Sequence, residues 1–419
     1  MKKIVFSVLS LGVLGTANAQ TAVTDTVVTG AGYVNQKYYS LANDEQATAN
    51  ATAWHVAVAP GVLATDGALR FNSLAGTVKI IPNATAETAI TAVDTAGWAA
   101  ETALYDKDFD YLTGAFNQSA NSSNQFDYSW AAYDQGTHSL LSLRTFGAKI
   151  GSDFYLLRVN ANYLGSGQFN YDVISFKVGA TDSVKTTITS EDYKTKNFVY
   201  FNLDTKAVLD LEPATADWDL FFGQYKTDLG GGQIYSVAGV LNNIGTQVAR
   251  VITTDPAGYA YTGEETFATE NNVIHYDVWK KSGQGGTTIA DTVVFVIKAK
   301  DGAIWKLQFT GFISGAGGGT GEYIFDKTLV SGVGVNNVTA VYAEIYPNPA
   351  NDNLQIVVDA VENTTIDIYS LTGAKVYTTT ANGGLQTLHV NTAELMNGVY
   401  QVVVTSNGLQ TTKKLVVQH

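Results

Sequence analysis

Apolar and polar residues alternate along most of this chain, and the alternation stops at Gly, Asn and Asp. Near the C-terminus, Leu354-Gln355-Ile356-Val357-Val358 and Thr365-Ile366-Asp367-Ile368-Tyr369 read as strands, because successive strand side chains point to opposite faces. Thr372-Gly373 turns the chain into Ala374-Lys375-Val376-Tyr377. Asn397-Gly398 precedes the apolar run 399–404, and Asn407-Gly408 separates that run from 411–417. An Asn-Gly pair between two such runs predicts a hairpin, since its turn needs two residues at positive φ. Short strands and frequent turns over 342–419 predict a small Ig-like β-sandwich. Earlier, Trp54, Val56 and Val58 share one face of a predicted strand, as do Trp218, Leu220 and Phe222. Period two then places His55 and Asp219 on the opposite face, an exposed one for His55.

These segments recur. Tyr39-Ser40-Leu41 before Ala53-Trp54-His55-Val56 parallels Tyr200-Phe201-Asn202-Leu203 before Asp217-Trp218-Asp219-Leu220. Gly67-Ala68-Leu69-Arg70-Phe71 is answered by Gly231-Gly232-Gln233-Ile234-Tyr235, and 149–159 by 300–309. The spacing predicts two copies of one β domain, 20–183 and 184–335, with a Gly-rich linker before residue 342.

Composition supports an all-β chain. Its 419 residues are 45% hydrophobic but only 15% charged, and Thr, Val, Tyr and Gly favour strands and turns over helices. The formal charge of −13 argues against a nucleic-acid partner, whose phosphates call for a basic face. The lack of Cys removes disulfides, zinc–thiolate sites and Cys nucleophiles. Residues 1–19 read as a cleavable signal peptide: Lys2 and Lys3, an apolar stretch, then Ala17-Asn18-Ala19. No later stretch approaches the apolar length a membrane helix requires.

Three segments of the last domain carry a resemblance. Tyr346-Pro347-Asn348-Pro349-Ala350, then Ile368-Tyr369-Ser370-Leu371-Thr372-Gly373, then Asn397-Gly398-Val399-Tyr400 resemble the type A C-terminal sorting domain of the type IX secretion system. Pro347, Asn348, Pro349, Gly373, Gly398 and Tyr400 are its motif residues here. The resemblance implies a partner in the type IX machinery of the Bacteroidetes, and a destination outside the cell or on its outer surface. Val199-Tyr200-Phe201-Asn202-Leu203, Asp217-Trp218-Asp219-Leu220-Phe221-Phe222 and the late hairpin 294–309, which includes Asp301-Gly302-Ala303-Ile304-Trp305-Lys306-Leu307, resemble the HmuY family of haem-binding proteins. The first half is similar more weakly, with His55 in place of the Asp. This resemblance implies an all-β fold with a few peripheral helices, haem as ligand and an outer-membrane receptor as partner.

Haem iron needs an axial donor such as His, Met, Tyr or Cys. Cys is absent, and Met1 and Met396 lie outside the two predicted β domains, so His and Tyr remain. His138 follows Tyr133-Asp134-Gln135-Gly136-Thr137 in a predicted loop able to project a ligand, and it leads. His275, before Tyr276 and Trp279, is second. No His pair recurs at matching places of the two halves, which weighs against ligation by two histidines. Asp106-Lys107-Asp108 lacks the Gly of a calcium loop, since Tyr stands at 111, and reads as a solvated acidic turn. No nucleophile elbow, phosphate cradle or metal-spaced His pair is present. The sequence therefore points to an exported, non-enzymatic binding protein, with capture of haem or another porphyrin favoured. The alternative is an adhesion or glycan-binding surface protein that kept the fold without iron ligation. A glycan-active enzyme ranks below both.

Overall fold

A computed structural model describes residues 22–60, 67–165, 168–283, 286–331, 342–360, 364–370, 373–381, 384–406 and 409–419. The predicted signal peptide 1–19, the Gly-rich linker and Asn407-Gly408 lie outside the described residues. The chain divides into two units, Met1–Val333 and Gly334–His419.

Strands dominate the first unit because its β-branched and aromatic residues suit a pleated surface. Its one α-helix among the described residues is Tyr276–Trp279, beside several short 3-10 turns. Four large sheets stack on three apolar cores. The outermost sheet of the N-terminal half is built on the long hairpin Asp153–Gly165 and Gln168–Lys177. The outermost sheet of the C-terminal half contains Val293–Lys298, Ile304–Ile313 and Glu322–Ser331. Between them lie two four-stranded sheets. One orders Val208–Leu209, Val199–Phe201, Val56–Val58 and Leu69–Phe71; the other orders Ile234–Asn242, Leu220–Asp228, Asn35–Ser40 and Asp44–Asn50.

Each inner sheet joins two strands from each half of the sequence. Val199 pairs with Val58 and Phe201 with Val56; Phe222 pairs with Lys37 and Leu220 with Tyr39. Val199, Phe201 and Leu203 thereby enter the core of the N-terminal half. Val27, Tyr39 and Leu41 enter the core of the C-terminal half. The edge strand Val23–Val28 also pairs with Glu322–Ser331. A boundary at 183/184 therefore does not divide the described fold, contrary to the reading of separate domains 20–183 and 184–335. The repeated pattern specifies what a strand buries but not which half supplies its partner, and here the halves exchange strands.

Both inner sheets are covered on both faces. Val56 and Val58 pack into one core, whereas Ala57 and Ala59 pack into the central one. His55, expected to be exposed, is consequently buried. Trp54 and Trp218 also depart from the expected face: they precede the strands Val56–Val58 and Leu220–Asp228 and turn into the central core.

The second unit is a β-sandwich. Tyr342–Tyr346, Asn353–Ala360 and Gly384–Asn391 form one sheet; Lys375–Ala381, Thr364–Ser370, Gly398–Ser406 and Leu409–Val417 form the other. Leu354, Ile356, Ile366, Ile368, Val402, Val404 and Leu415 fill the space between. Pro347 and Pro349 follow cis peptide bonds. Asn348 ties this entry to the last strand, its Nδ2 donating to the Lys414 carbonyl at 2.7 Å and its Oδ1 accepting from the Val416 N–H at 2.8 Å. Gly373 sits at φ 84°, where a side chain would be strained. Gly398 opens its strand, and the Tyr400 hydroxyl donates to the Met396 carbonyl at 2.8 Å.

Candidate functional site

The exchanged strands bring matching residues of the two halves together around the central core. The Tyr38 and Tyr200 hydroxyls meet at 2.9 Å. Trp54 packs edge-on against Tyr200 and Trp218 edge-on against Tyr38, both at 5.0 Å between ring centres. Nearby, His55 Nδ1 accepts the Leu203 N–H and Asp219 Oδ2 accepts the Leu41 N–H, each at 2.9 Å. Asn72 and Asn243 repeat the same symmetry, donating to the carbonyls of Trp54 and Trp218. His55 and Asp219 thus fill one structural role: each satisfies a buried N–H where the partner strand ends. Burial lowers the His55 pKa and raises that of Asp219 to about 6.

Beside the paired tyrosines lies a cavity of about 80 Å³. Its walls are aromatic, but a charged group sits among them. Arg70 comes from the strand Leu69–Phe71, and its guanidinium carbon lies 4.7 Å from the ring centre of Tyr111 and 5.2 Å from that of Phe198. Its Nε donates to Asp106 Oδ2 at 3.1 Å, while Asp106 Oδ1 accepts the N–H groups of Phe71 and Ala115. Asp106-Lys107-Asp108 is therefore not a solvated turn: Asp106 anchors a largely buried arginine, and Asp108 is itself buried. Glu212 closes another wall. It accepts the N–H groups of Asn197 and Phe198 and the Tyr200 hydroxyl, and burial raises its pKa to about 7. Burial likewise keeps Tyr38 and Tyr200 neutral by raising their pKa values. Ser73, Leu74, Gln224 and Lys226 also line an outer recess of about 430 Å³.

Arg70, Tyr38 and Glu212 are not among the residues the sequence singles out, and Asp106 reads there as part of a solvated turn. One signal was available: Arg70, one of four arginines in the chain, interrupts an otherwise apolar Ala68-Leu69-Arg70-Phe71 run.

The predicted ligands lie elsewhere. His138 sits at φ 58° between the strands Ala131–Tyr133 and Leu140–Ser142, with its side chain exposed. Its Nδ1 is 2.6 Å from the Tyr133 hydroxyl. A row of rings runs through the pair: Phe126 stacks on Tyr133 at 5.9 Å, His138 meets Tyr163 at 5.8 Å, and Tyr163 meets Phe169 at 5.4 Å. Leu141, Tyr163 and Leu164 are exposed apolar neighbours in the chain of this region. The sequence reading named His138 without Tyr133 as its partner. His275 is differently placed. Its Nδ1 contacts Asp277 at 2.5 Å and its Nε2 contacts Thr227 Oγ1 at 3.1 Å, with Asp108 at 3.6 Å. Both ring nitrogens are hydrogen-bonded within the protein; burial lowers its pKa, but Asp108 and Asp277 outweigh that and raise it. Among the described residues, no cluster of His, Asp or Glu has the makings of a metal site, and no helix is long and apolar enough to cross a membrane.

Comparison with known proteins separates the two units. Residues 194–326 match the family model described as HmuY protein, and residues 344–418 match the secretion system C-terminal sorting domain. The HmuY match spans the C-terminal half of the first unit; the strands Asn35–Ser40 and Val56–Val58 that pair with it lie outside the match. No curated protein matches the chain. A solved biofilm-associated protein, its BSP domain, aligns at 12% identity over 97% of this chain and 67% of its own, with a TM-score of 0.16, too low to show a shared fold. The Trp218–Phe222 segment and its late hairpin, together with the Asn348 and Tyr400 contacts, fall inside the two matched segments, and the chain is an HmuY-like protein carrying a type IX C-terminal sorting domain.

Proposed function

We propose that this chain is a non-enzymatic binding protein that captures haem or a related porphyrin after type IX export to the cell surface or beyond it. The sorting domain supports the export, and the HmuY match supports a haem-binding lineage. The observation that carries the ligand reading is the row of rings around the Tyr133–His138 pair, in which His138 and Tyr163 are exposed and Phe126 and Tyr133 half-buried. A flat apolar macrocycle gains by covering such a row. The central cavity is not the place for it, since pockets for ligands of this size run to at least about 300 Å³. Either Tyr133 or His138 would hold the iron. In the tautomer whose Nδ1 accepts the Tyr133 O–H, His138 carries its proton on Nε2 and the phenol oxygen is the donor to iron; in the other tautomer Nδ1–H donates to Tyr133 and His138 Nε2 is the donor. Haem, when bound, supplies an iron that accepts one of these ligands.

The test is titration of the mature chain with hemin, followed by the Soret band. Saturable binding at micromolar protein is expected. Tyr133→Phe and His138→Ala should each shift the band and weaken affinity about tenfold or more, while His275→Ala should leave both unchanged. No saturable shift, or wild-type spectra in both variants, would overturn the proposal. The ring row would then remain as a contact for glycans or for adhesion.

A further inference from the structure

We infer that the central cavity is a second binding site, separate from the Tyr133–His138 row, which takes a small carboxylic acid on the Nη edge of Arg70. Most polar groups there are already engaged. Asp106 takes Arg70 Nε and two backbone N–H groups, and Glu212 accepts two backbone N–H groups and the Tyr200 hydroxyl. Lys107 donates to the Tyr105 hydroxyl at 3.0 Å, and Asp108 faces His275. Of the lining groups without a hydrogen-bond partner among the described residues, Asp108 Oδ2, the Tyr225 hydroxyl and Ser73 Oγ are or include acceptors, and the donors are on Arg70, Trp218 and Lys226. Arg70 uses only Nε, and neither of its Nη atoms has a hydrogen-bond partner among the described residues. The Nε1–H of Trp218, a residue 2% exposed, has no partner. Lys226 stands where the cavity meets the outer recess, and its side chain forms no ion pair or hydrogen bond among the described residues.

A guanidinium held against two rings, with its outer edge free, presents the planar pair of donors that a carboxylate accepts at both oxygens. The free Nη edge therefore calls for an acceptor pair on the ligand. Its body must be apolar, since Trp54, Trp218 and Phe198 line the space. Its size is bounded as well: about 80 Å³ holds only a handful of waters, the room of about ten non-hydrogen atoms. Lys226 and the wider recess at the mouth would draw an anion inward.

Benzoate meets these conditions, and benzamide is its neutral counterpart of the same shape. Calorimetric titration of the mature chain should show saturable benzoate binding, with benzamide about tenfold weaker or undetectable. Arg70→Lys keeps the charge and loses the planar edge. It should weaken benzoate about tenfold and leave the hemin titration unchanged. Trp218→Phe keeps the ring and removes the free N–H, and should weaken benzoate several-fold; it decides the matter should Arg70→Lys fail to fold. Absence of saturable benzoate binding, equal affinity for benzamide, or unaltered benzoate affinity in the folded variants would overturn the inference. Because the hemin titration is read separately, loss of one site does not count against the other.

Discussion

Glu212 shows how burial changes the behaviour of a single residue. Its carboxyl is held by three donors, yet desolvation outweighs them and raises its pKa from 4.5 to about 7. The folded chain then keeps a proton that the unfolded chain releases. The resulting stability is complete below pH 4.5 and is lost as pH rises through about 7. Asp219 acts in the same direction, between 3.8 and about 6. Thermal unfolding across this window should show the wild-type midpoint falling as pH rises. Glu212→Gln should flatten the upper part of that fall, and the difference between the two profiles isolates Glu212, on the order of 3 kcal/mol over the whole window. Parallel profiles would mean that Glu212 titrates normally. Such residues were hard to read in the sequence. Glu212, Asp106 and His55 all stand in polar surroundings or at strand ends, where a solvated role is the ordinary expectation, and only the stacking of sheets on both sides buries them.

At the level of elements, the strand patterns were legible and their partners were not. Val56 and Val58, Leu220 and Phe222, and the alternating residues of the sorting domain all face cores as their period predicts. That period assumed one wet face for the inner strands. The sheets instead lie between cores, so the polar residues at strand ends became internal fasteners. His55 accepts from Leu203 and Asp219 from Leu41, each joining strands that come from different halves of the chain. Leaving a buried N–H without its acceptor costs about 1–3 kcal/mol. Asp219→Ala should therefore lower unfolding stability in urea by that amount. Asp219→Asn retains an oxygen for Leu41 and sheds the buried charge, so it should stay within about 1 kcal/mol of wild type. Equal stability of the Ala variant would show that the Leu41 N–H needs no such partner. Of the candidate site, His138 was legible because a histidine in a Gly-containing turn stands out. Tyr133 was not singled out, because Tyr is common here, with 23 in the chain, and most are explained by packing.

The exchange of strands has its largest consequence for the whole of the first unit. Were the halves independent, 22–183 and 184–333 would each fold alone. The cores say otherwise. The N-terminal half without Val199, Phe201 and Leu203 has an open core and lacks the partner of Val56–Val58. The C-terminal half without Tyr39 and Leu41 loses a wall of its core, and without Val23–Val28 it exposes the edge of Glu322–Ser331. Burying each large side chain contributes about 1.5–3 kcal/mol, so losing two or three of them removes most of the margin by which a domain of this size is stable. An open strand edge also invites association. Each fragment expressed alone should give poorly dispersed amide resonances and bind hydrophobic dye. Mixed at high concentration during refolding, the two should recover the dispersed spectrum and the unfolding transition of 22–333, because the pairings Phe201–Val56 and Leu220–Tyr39 join residues that the two fragments still carry. Cooperative folding of either fragment alone would show that the exchanged strands are dispensable. Failure of the mixture to regain the transition would show that the connection through residue 183 is needed to bring the strands together.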